Sequence, residues 1–176
     1  MSNQKLQDKY EDIYKEGKEK FFSRFVNGKD ISETDEKVWK CTDWTNKKVI
    51  DIGCGSGETA AGIAMLGANL VLGVDYSDNA IKVANQRHSI ENLKFKVGSI
   101  ETIISSTHQL FDVVVSLGTL EHMDDPKTAL HEMLRMLDKN GKVVLTCPFF
   151  INLRGMVWMT LALALDVPMS LTDKNF

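Results

Sequence analysis

The sequence predicts an α/β fold: a mainly parallel sheet of at least five strands, with helices on both of its faces. From Lys47 onward, short apolar runs typical of buried strands alternate with stretches whose apolar residues recur at helical period. The segments that join them are short, as in sheets whose parallel strands are linked through helices. A glycine-rich turn, "GCGSG", follows the first apolar run directly. These three features predict one layered α/β domain.

The first 46 residues lack the alternation of strands and helices that follows them, and their pattern predicts a helical cap. Apolar and aromatic residues recur there at helical spacing, at Leu6, Tyr10, Ile13 and Tyr14. The run "SETD" at 32–35 has the form of a capping box, and it opens a helix that carries Val38 and Trp39. We therefore expect residues 1–46 to form a unit of helices beside the sheet.

Five strands are predicted in the remainder, over residues 48–52, 69–75, 92–98, 111–118 and 142–148. Ser77 is the expected N-cap of the helix after the second strand. A helix over 125–140 is expected to bury a stripe of apolar residues and to end before Gly141; the stripe is Leu130, Met133, Leu134 and Leu137. Right-handed crossovers make this a doubly wound, Rossmann-like sheet. The predicted parts are the cap 1–46, the core 47–148 and an apolar helix and tail over 149–176, within one structural domain.

Composition and charge limit the partners of the chain. A net charge of −3, with no basic extension laced with aromatic residues, argues against a nucleic-acid partner. The longest apolar run, 156–165, has ten residues, whereas a membrane span needs about 20, so no stable membrane insertion is expected. The N-terminus lacks the apolar core of a signal peptide. Cys41, Cys54 and Cys147 form no disulfide framework or metal site, so we expect a reduced, cytoplasmic protein without a bound metal.

The stretch "VIDIGCGSGETA" places three glycines between a strand and a helix. Glycines let a ligand approach the backbone, and a helix N-terminus attracts phosphates and carboxylates. Gly53, Gly55 and Gly57 follow G-x-G-x-G, however, and Glu58 stands where a dinucleotide-binding loop has its third glycine. A carboxylate at Asp51 would also repel a diphosphate and attract an ammonium or a sulfonium. The loop is therefore expected to hold a cationic ligand without phosphate.

Asp75 ends the second predicted strand, 18 residues after Gly57. An acid in that place can accept hydrogen bonds from both hydroxyls of a ribose. Tyr76 follows it and could lie along a purine ring. An ordinary strand-end acid and a tyrosine packed in the core are the alternative interpretations. The ligand inferred is an adenosine with a positively charged, amino-acid-like tail.

Four stretches carry a resemblance to a known family: "VIDIGCGSGE", "VLGVDYSDNAI", "FDVVVSLGTLEHMDDP" and "LRMLDKNGKVVLTCP". In order and spacing they resemble the class I S-adenosylmethionine-dependent methyltransferases, most of all the small-molecule branch that includes quinone-biosynthesis enzymes. The resemblance covers residues 47–148. It implies S-adenosylmethionine as cofactor, S-adenosylhomocysteine as product, and methyl transfer to a small-molecule acceptor by direct in-line displacement.

The family's sheet normally gains two further strands after the fifth, and the 28 residues beyond Pro148 do not provide them. Two explanations are left open. The chain is a fragment, or the edge of its fifth strand is covered by another chain or by the terminal helix.

The resemblance also implies a set of cofactor-binding residues, namely Asp51, Gly53, Cys54, Gly55, Gly57, Asp75, Tyr76, Ser99, Ile100, Ser116, Leu117 and Tyr14. Asp51 would hold the methionine amino group and Asp75 the ribose hydroxyls, while the glycine loop lines the methionine. Tyr76 and Ile100 would contact the adenine. Ser99 stands where the family usually offers an aspartate to the adenine amino group.

The segment after the fourth strand carries the candidate catalytic residue. Ser116 and Leu117 would approach the sulfur of the cofactor. His122, in "LEHMDD", is the candidate general base for an acceptor hydroxyl, with a purely structural hydrogen bond as the alternative. Glu121 is expected to hold the loop backbone rather than to act in catalysis.

Several alternatives stay open at the level of function. The apolar run 156–165 is explained by packing on the sheet edge, by a lid over a partly apolar acceptor, by a membrane-touching face or by a homo-oligomer contact. The edge of the fifth strand is a second candidate for such a contact. A cofactor-binding module without turnover, a protein methyltransferase and a nicotinamide-dependent oxidoreductase are the competing functions.

Overall fold

The computed structural model describes residues 33–100, 102–103 and 109–146. The predictions for Tyr10, Tyr14, Cys147 and the apolar run 156–165 lie outside the described residues. Within them, strands and helices alternate in the predicted order.

The strands are β1 (Lys48–Ile52), β2 (Leu70–Asp75), β3 (Leu93–Val97), β4 (Phe111–Leu117) and β5 (Leu137–Thr146). The helices with described bounds are α1 (Glu33–Lys40), α2 (Glu58–Met65), α3 (Asp78–Arg87) and α4 (Pro126–Arg135), and a 3-10 helix spans Leu120–His122. As predicted, Ser77 caps α3, because its hydroxyl accepts a hydrogen bond from the Ala80 N–H at 3.1 Å. No helix of the described part is long and apolar enough to cross a bilayer.

All five strands are parallel, in the order β3-β2-β1-β4-β5. From β1 the chain moves through β2 to β3 at one edge, and then returns to β4 on the other side of β1. The carboxyl ends of β1 and β4 therefore border the point where the strand order reverses. Ligands bind at such a point in doubly wound sheets.

Helices cover both faces of the sheet, as the sequence predicts. The connections through α2 and α3 run towards the β3 edge, and the connection through α4 runs towards the β5 edge. Because crossovers between parallel strands are right-handed, α2 and α3 lie on one face and α4 on the other. The face under α2 buries a cluster of strand residues, which are Val49, Val71, Leu93, Val113 and Val115. Ile50 and Val114, which alternate with them along the pleat, are also buried.

Helix α1 packs against α2 through a contact that requires a glycine. A Cβ atom added at Gly62 would overlap the ring of Trp39. The Trp39 Nε1–H also donates to the Thr59 carbonyl at 3.3 Å, and the Trp44 Nε1–H donates to the Trp39 carbonyl at 2.8 Å. Val38, Trp39 and Trp44 thus tie the described end of the N-terminal segment to the helix that follows β1.

The expected boundary between the fourth helix and the fifth strand is wrong. Helix α4 ends at Arg135, and Leu137 already pairs with Phe111 in the sheet. The next described pair joins Val113 to Lys142, so β5 accommodates "DKNG" at 138–141 as an irregularity instead of ending a helix there. The spacing of Leu130, Met133 and Leu137 fits a helix. Leu137 nevertheless adopts a strand conformation, because it pairs with Phe111 of β4.

Asn92 joins the end of α2 to the sheet. Its side-chain amide donates hydrogen bonds to the carbonyls of Ala64 at 3.1 Å and Ala68 at 2.5 Å. Its own carbonyl accepts from the Val71 N–H at 2.8 Å. The last carbonyls of a helix have no partner within the helix, and Asn92 provides one.

Replacing Asn92 by alanine should lower the free energy of unfolding by about 1–3 kcal/mol, because the Ala68 carbonyl loses its donor and the Ala64 carbonyl keeps only the longer bond from the Gly67 N–H, at 3.3 Å. Urea denaturation monitored by circular dichroism measures this change. Asn85→Ala is the matched control: the Asn85 amide bonds only the Ile81 carbonyl of its own helix and the residue is exposed, so a change within about 0.5 kcal/mol is expected. Equal losses in the two variants would contradict the bridging role of Asn92.

Candidate functional site

The candidate site lies where the loop after β1 meets the turn after β4. The two segments touch at Gly53, since a Cβ atom there would overlap the Thr119 side chain. Gly53 also has φ +77°, a conformation that favours glycine. The Thr119 hydroxyl is itself held, because it donates to the Leu117 carbonyl at 3.1 Å. Sequence reasoning did not identify Thr119, which three crossovers separate from Gly53 along the chain.

The glycine loop is folded tightly against the sheet. Its turn is closed by the Gly57 N–H, which donates to the Cys54 carbonyl at 2.9 Å, and Gly57 becomes the N-cap of α2 with φ +86°. A Cβ atom at Gly57 would lie 2.5 Å from the Phe95 ring of β3. The close approach of the loop backbone to β3 therefore requires a glycine at position 57.

Asp75 holds the glycine loop to the end of β2. Its Oδ2 accepts from the Gly55 N–H and its Oδ1 from the Ser77 N–H, both at 2.9 Å. Its backbone carbonyl accepts from the Gly98 N–H at 2.9 Å, which connects the end of β3 as well. The side chain is nearly buried, with 8% of the residue exposed. Each carboxylate oxygen has two lone pairs and can accept more than one hydrogen bond.

Asp51 is the second buried carboxylate at the loop. It lies on β1, paired with Gly73 on one side and Val115 on the other, and only 2% of the residue is exposed. Burial raises the pKa of the Cys54 thiol well above its ordinary value, and the negative charges of Asp51 and Asp75 raise it further. Both carboxylates thus act electrostatically on the loop, and the thiol stays protonated at neutral pH.

A salt bridge that the sequence did not predict supports the same loop. Glu58, the first residue of α2, is buried and accepts from the Arg87 guanidinium at 2.9 Å, while the Ser56 hydroxyl donates to its other oxygen at 2.6 Å. Arg87 is the last residue of α3. The acid at a helix start and the base at a helix end both suit the helix dipoles. No local pattern marks this pair, since 29 residues separate its members.

The adenine-side candidates lie at the ends of β2 and β3. Tyr76 is half-buried directly after β2. Ser99 is engaged with Thr102: its N–H donates to the Thr102 hydroxyl at 2.9 Å, and that hydroxyl donates back to the Ser99 carbonyl at 2.9 Å. Ile100 is buried. Ser99 therefore starts the turn after β3. The aspartate that the family usually has at this position does not predict this local role.

The candidates after β4 occupy different environments. Ser116 is fully buried and its hydroxyl has no hydrogen-bond partner, whereas Leu117 packs against the core on the α2 face. His122 is exposed, and its backbone N–H donates to the Thr119 carbonyl at 3.0 Å. Glu121 Oε2 is buried without a hydrogen-bond partner. The expectation that this carboxylate holds the loop backbone is wrong for that oxygen.

The described residues thus bring Asp51, Asp75, the glycine loop and the turn after β4 to one edge of the sheet, and Tyr14 lies outside them. Among these residues there is no group of three or more His, Cys, Asp or Glu side chains that could hold a metal ion.

Comparison with known proteins identifies the family. A family model described as a methyltransferase domain matches residues 44–156. A ubiquinone biosynthesis O-methyltransferase of Schizosaccharomyces pombe, named mitochondrial, is 35% identical over 124 residues, which cover 68% of this chain and 44% of that protein. The enzyme of the same name from Klebsiella pneumoniae is 30% identical over 132 residues, or 73% of this chain and 52% of the relative. The chain therefore spans about half the length of these relatives.

A solved structure supports the fold. The S-adenosylmethionine-dependent methyltransferase from Thiobacillus denitrificans, in complex with S-adenosyl-L-homocysteine, superposes with a TM-score of 0.62 at 19% identity, over 76% of this chain and 55% of that one. The fold, the order of its motifs and the family model agree. The chain belongs to the class I S-adenosylmethionine-dependent methyltransferases.

Proposed function

We propose that the protein binds S-adenosylmethionine at the carboxyl ends of β1 and β2 and transfers its methyl group to a small-molecule acceptor. One observation carries the proposal. Two nearly buried carboxylates, Asp51 and Asp75, flank a glycine loop that is partly exposed from Gly53 to Gly55. A diphosphate would be repelled there, whereas a ligand with an ammonium and a sulfonium gains from both charges. An uncharged ribose suits a carboxylate, which accepts hydrogen bonds from its hydroxyl groups.

In this proposal Asp75 has two tasks at once. It accepts hydrogen bonds from the ribose hydroxyls, and it keeps the Gly55 and Ser77 N–H groups in place. Asp51 attracts the amino group of the methionine, which lies along Gly53, Cys54, Gly55 and Gly57. Because the loop is held before the ligand arrives, less entropy is lost on binding.

The remaining cofactor contacts follow the order of the strands. Tyr76, Ser99 and Ile100 are assigned to the adenine end, at the ends of β2 and β3. Ser116 and Leu117 are assigned to the sulfur end, and Tyr14 to the carboxylate of the methionine. The position of each of the first five at the carboxyl end of a strand supports the assignment.

The proposed chemistry is an in-line displacement at the methyl carbon. The sulfonium is already activated, so the protein has mainly to align donor and acceptor and exclude water, and such positioning is worth about 7–11 kcal/mol. A neutral acceptor must also lose a proton. His122 is the base that the sequence suggests, at the end of the 3-10 helix after β4.

The acceptor and the setting of the protein complete the proposal. The relatives are named ubiquinone biosynthesis O-methyltransferases, which supports a small molecule, partly apolar, as acceptor. The bacterial relative supports a cytoplasmic location, although the relative from S. pombe is named mitochondrial. Association of two copies through the outer edge of β5, the last of the described strands in the sheet order, is also proposed.

Titration of S-adenosylhomocysteine by calorimetry tests the cofactor site. The wild-type protein should bind it with a micromolar Kd, or about −8 kcal/mol. Asp75→Ala should weaken binding by about 100-fold or more, because two charge-assisted hydrogen bonds to the ribose and the support of the loop are lost. Asp78→Ala removes an exposed acid three residues away, paired with Lys82, and should change the Kd by less than about twofold.

Two outcomes of that titration would contradict the proposal. One is tight binding of NAD together with no response to S-adenosylhomocysteine. The other is equal binding by wild type and Asp75→Ala, with circular dichroism confirming that the variant is folded.

Alkylation of the cysteines tests the electrostatics of the loop. Because the thiolate is the reactive form and the pKa of Cys54 is raised, iodoacetamide should modify Cys54 slowly at pH 7 and faster as the pH rises beyond 9. Cys41, exposed after α1, is the internal reference: burial raises its pKa too, but less than that of Cys54, so Cys41 should react at least about tenfold faster at pH 7. Peptide mass spectrometry over time gives both rates. S-adenosylhomocysteine should slow the reaction of Cys54 alone; equal rates for both cysteines would refute the assignment.

A further inference from the structure

Glu121 has a carboxylate oxygen without a hydrogen-bond partner among the described residues. This oxygen, Oε2, is buried. Buried polar atoms are nearly always satisfied, and an unsatisfied carboxylate oxygen costs free energy that selection for stability alone would remove. A group of this kind is explained when a ligand supplies the missing donor.

The position of Glu121 is next to the candidate cofactor site. Its Oε1 lies against Gly118, 3.6 Å from where a Cβ atom of that residue would be. Gly118 is fixed, because its N–H donates to the Thr146 hydroxyl at 3.0 Å and to the Thr146 carbonyl at 3.2 Å. The next residue, Thr119, touches Gly53 of the glycine loop. The carboxylate is therefore on a turn whose backbone is fixed, two residues from the contact between the two loops.

The other carboxylates of the same segment are accounted for. Asp125 caps α4, since its Oδ1 accepts from the Thr128 N–H at 3.1 Å and its Oδ2 from the Thr128 hydroxyl at 2.5 Å. Asp124 is exposed to solvent. Within the segment between β4 and α4, only Glu121 combines burial with an oxygen that has no partner.

We propose that Glu121 binds the methyl acceptor by accepting a hydrogen bond from its hydroxyl group and that Glu121, rather than His122, takes up the proton of that hydroxyl during transfer. This inference rests on the proposed function and deepens it, because it makes the acceptor a hydroxyl-bearing molecule. The bond from the methyl carbon to the sulfonium breaks and its electron pair goes to sulfur, while the acceptor oxygen forms the new bond to the methyl carbon. The O–H proton passes to the Glu121 carboxylate and then to water. One positive and one negative charge are lost together, so the step leaves no new charge in the site.

The test uses the full chain, catechol as a hydroxyl-bearing aromatic probe, and the variants Glu121→Gln and Asp124→Asn. S-adenosylhomocysteine is titrated first, and catechol is then titrated onto the complex. Glu121→Gln should bind S-adenosylhomocysteine within about twofold of wild type and lose about tenfold or more in catechol affinity. Asp124→Asn removes the same charge from the same segment and should leave both affinities unchanged.

Turnover separates proton uptake from binding. With S-adenosylmethionine and saturating catechol, Glu121→Gln should lower kcat by about 100-fold or more. With 4-nitrocatechol, whose hydroxyl ionises near neutral pH without a base, the defect should shrink to about tenfold or less. A merely structural role for Glu121 would give the same loss with both acceptors. The melting temperature of Glu121→Gln should equal or exceed that of wild type, because the carboxylate with a buried, unpartnered oxygen is replaced by a neutral amide.

Each other outcome has a defined meaning. Equal catechol affinity and kcat in wild type and Glu121→Gln overturn the inference, and so does a loss seen in His122→Asn but not in Glu121→Gln. If the wild type binds S-adenosylhomocysteine but neither binds nor methylates catechol, the acceptor class is wrong while the cofactor site stands. If the wild type binds no S-adenosylhomocysteine, the proposed function fails, and the role of Glu121 fails with it.

Discussion

The hydrogen bonds between the Asp75 carboxylate and two backbone N–H groups are the constraint on which the rest of the site depends. Gly55 belongs to the loop after β1, and Ser77 begins the connection after β2, so a single side chain fixes the distance between two strand ends. Asp75 is itself positioned by the parallel pairing of β2 with β1 and β3. The sheet register thus determines the shape of the loop, and the loop determines which ligands can approach.

Support for the loop comes from several separate elements. Helix α3 contributes Arg87 to the salt bridge with Glu58, strand β3 contributes Phe95 behind Gly57, and the turn after β4 contributes Thr119 beside Gly53. These contacts join elements on both sides of β1. A loop fixed in this way loses little conformational entropy when a ligand binds. Methyl transfer depends on the alignment of donor and acceptor, so it benefits from such a preorganised loop.

Sequence patterns predicted the parts of this structure that depend on local order. The bounds of β1 were predicted to the residue, and Asp75 was placed beside the glycine loop because parallel strands end at one edge. Contacts between distant residues were not predictable in this way. The pairing of Glu58 with Arg87 depends on how two helices lie over the sheet, and the strand conformation of Leu137 depends on Phe111. The unpartnered oxygen of Glu121 is a property of packing that no spacing of residues expresses.

The two buried carboxylates at the loop have a consequence for the cycle of a cofactor bound there. Methyl transfer converts the sulfonium of the methyl donor into a neutral thioether. The product therefore carries one positive charge less than the donor from which it forms. Asp51 and Asp75 then attract it less strongly, by an amount that grows as the surroundings exclude water. The same charges that recruit the donor would thereby weaken product inhibition and drive exchange for a fresh molecule.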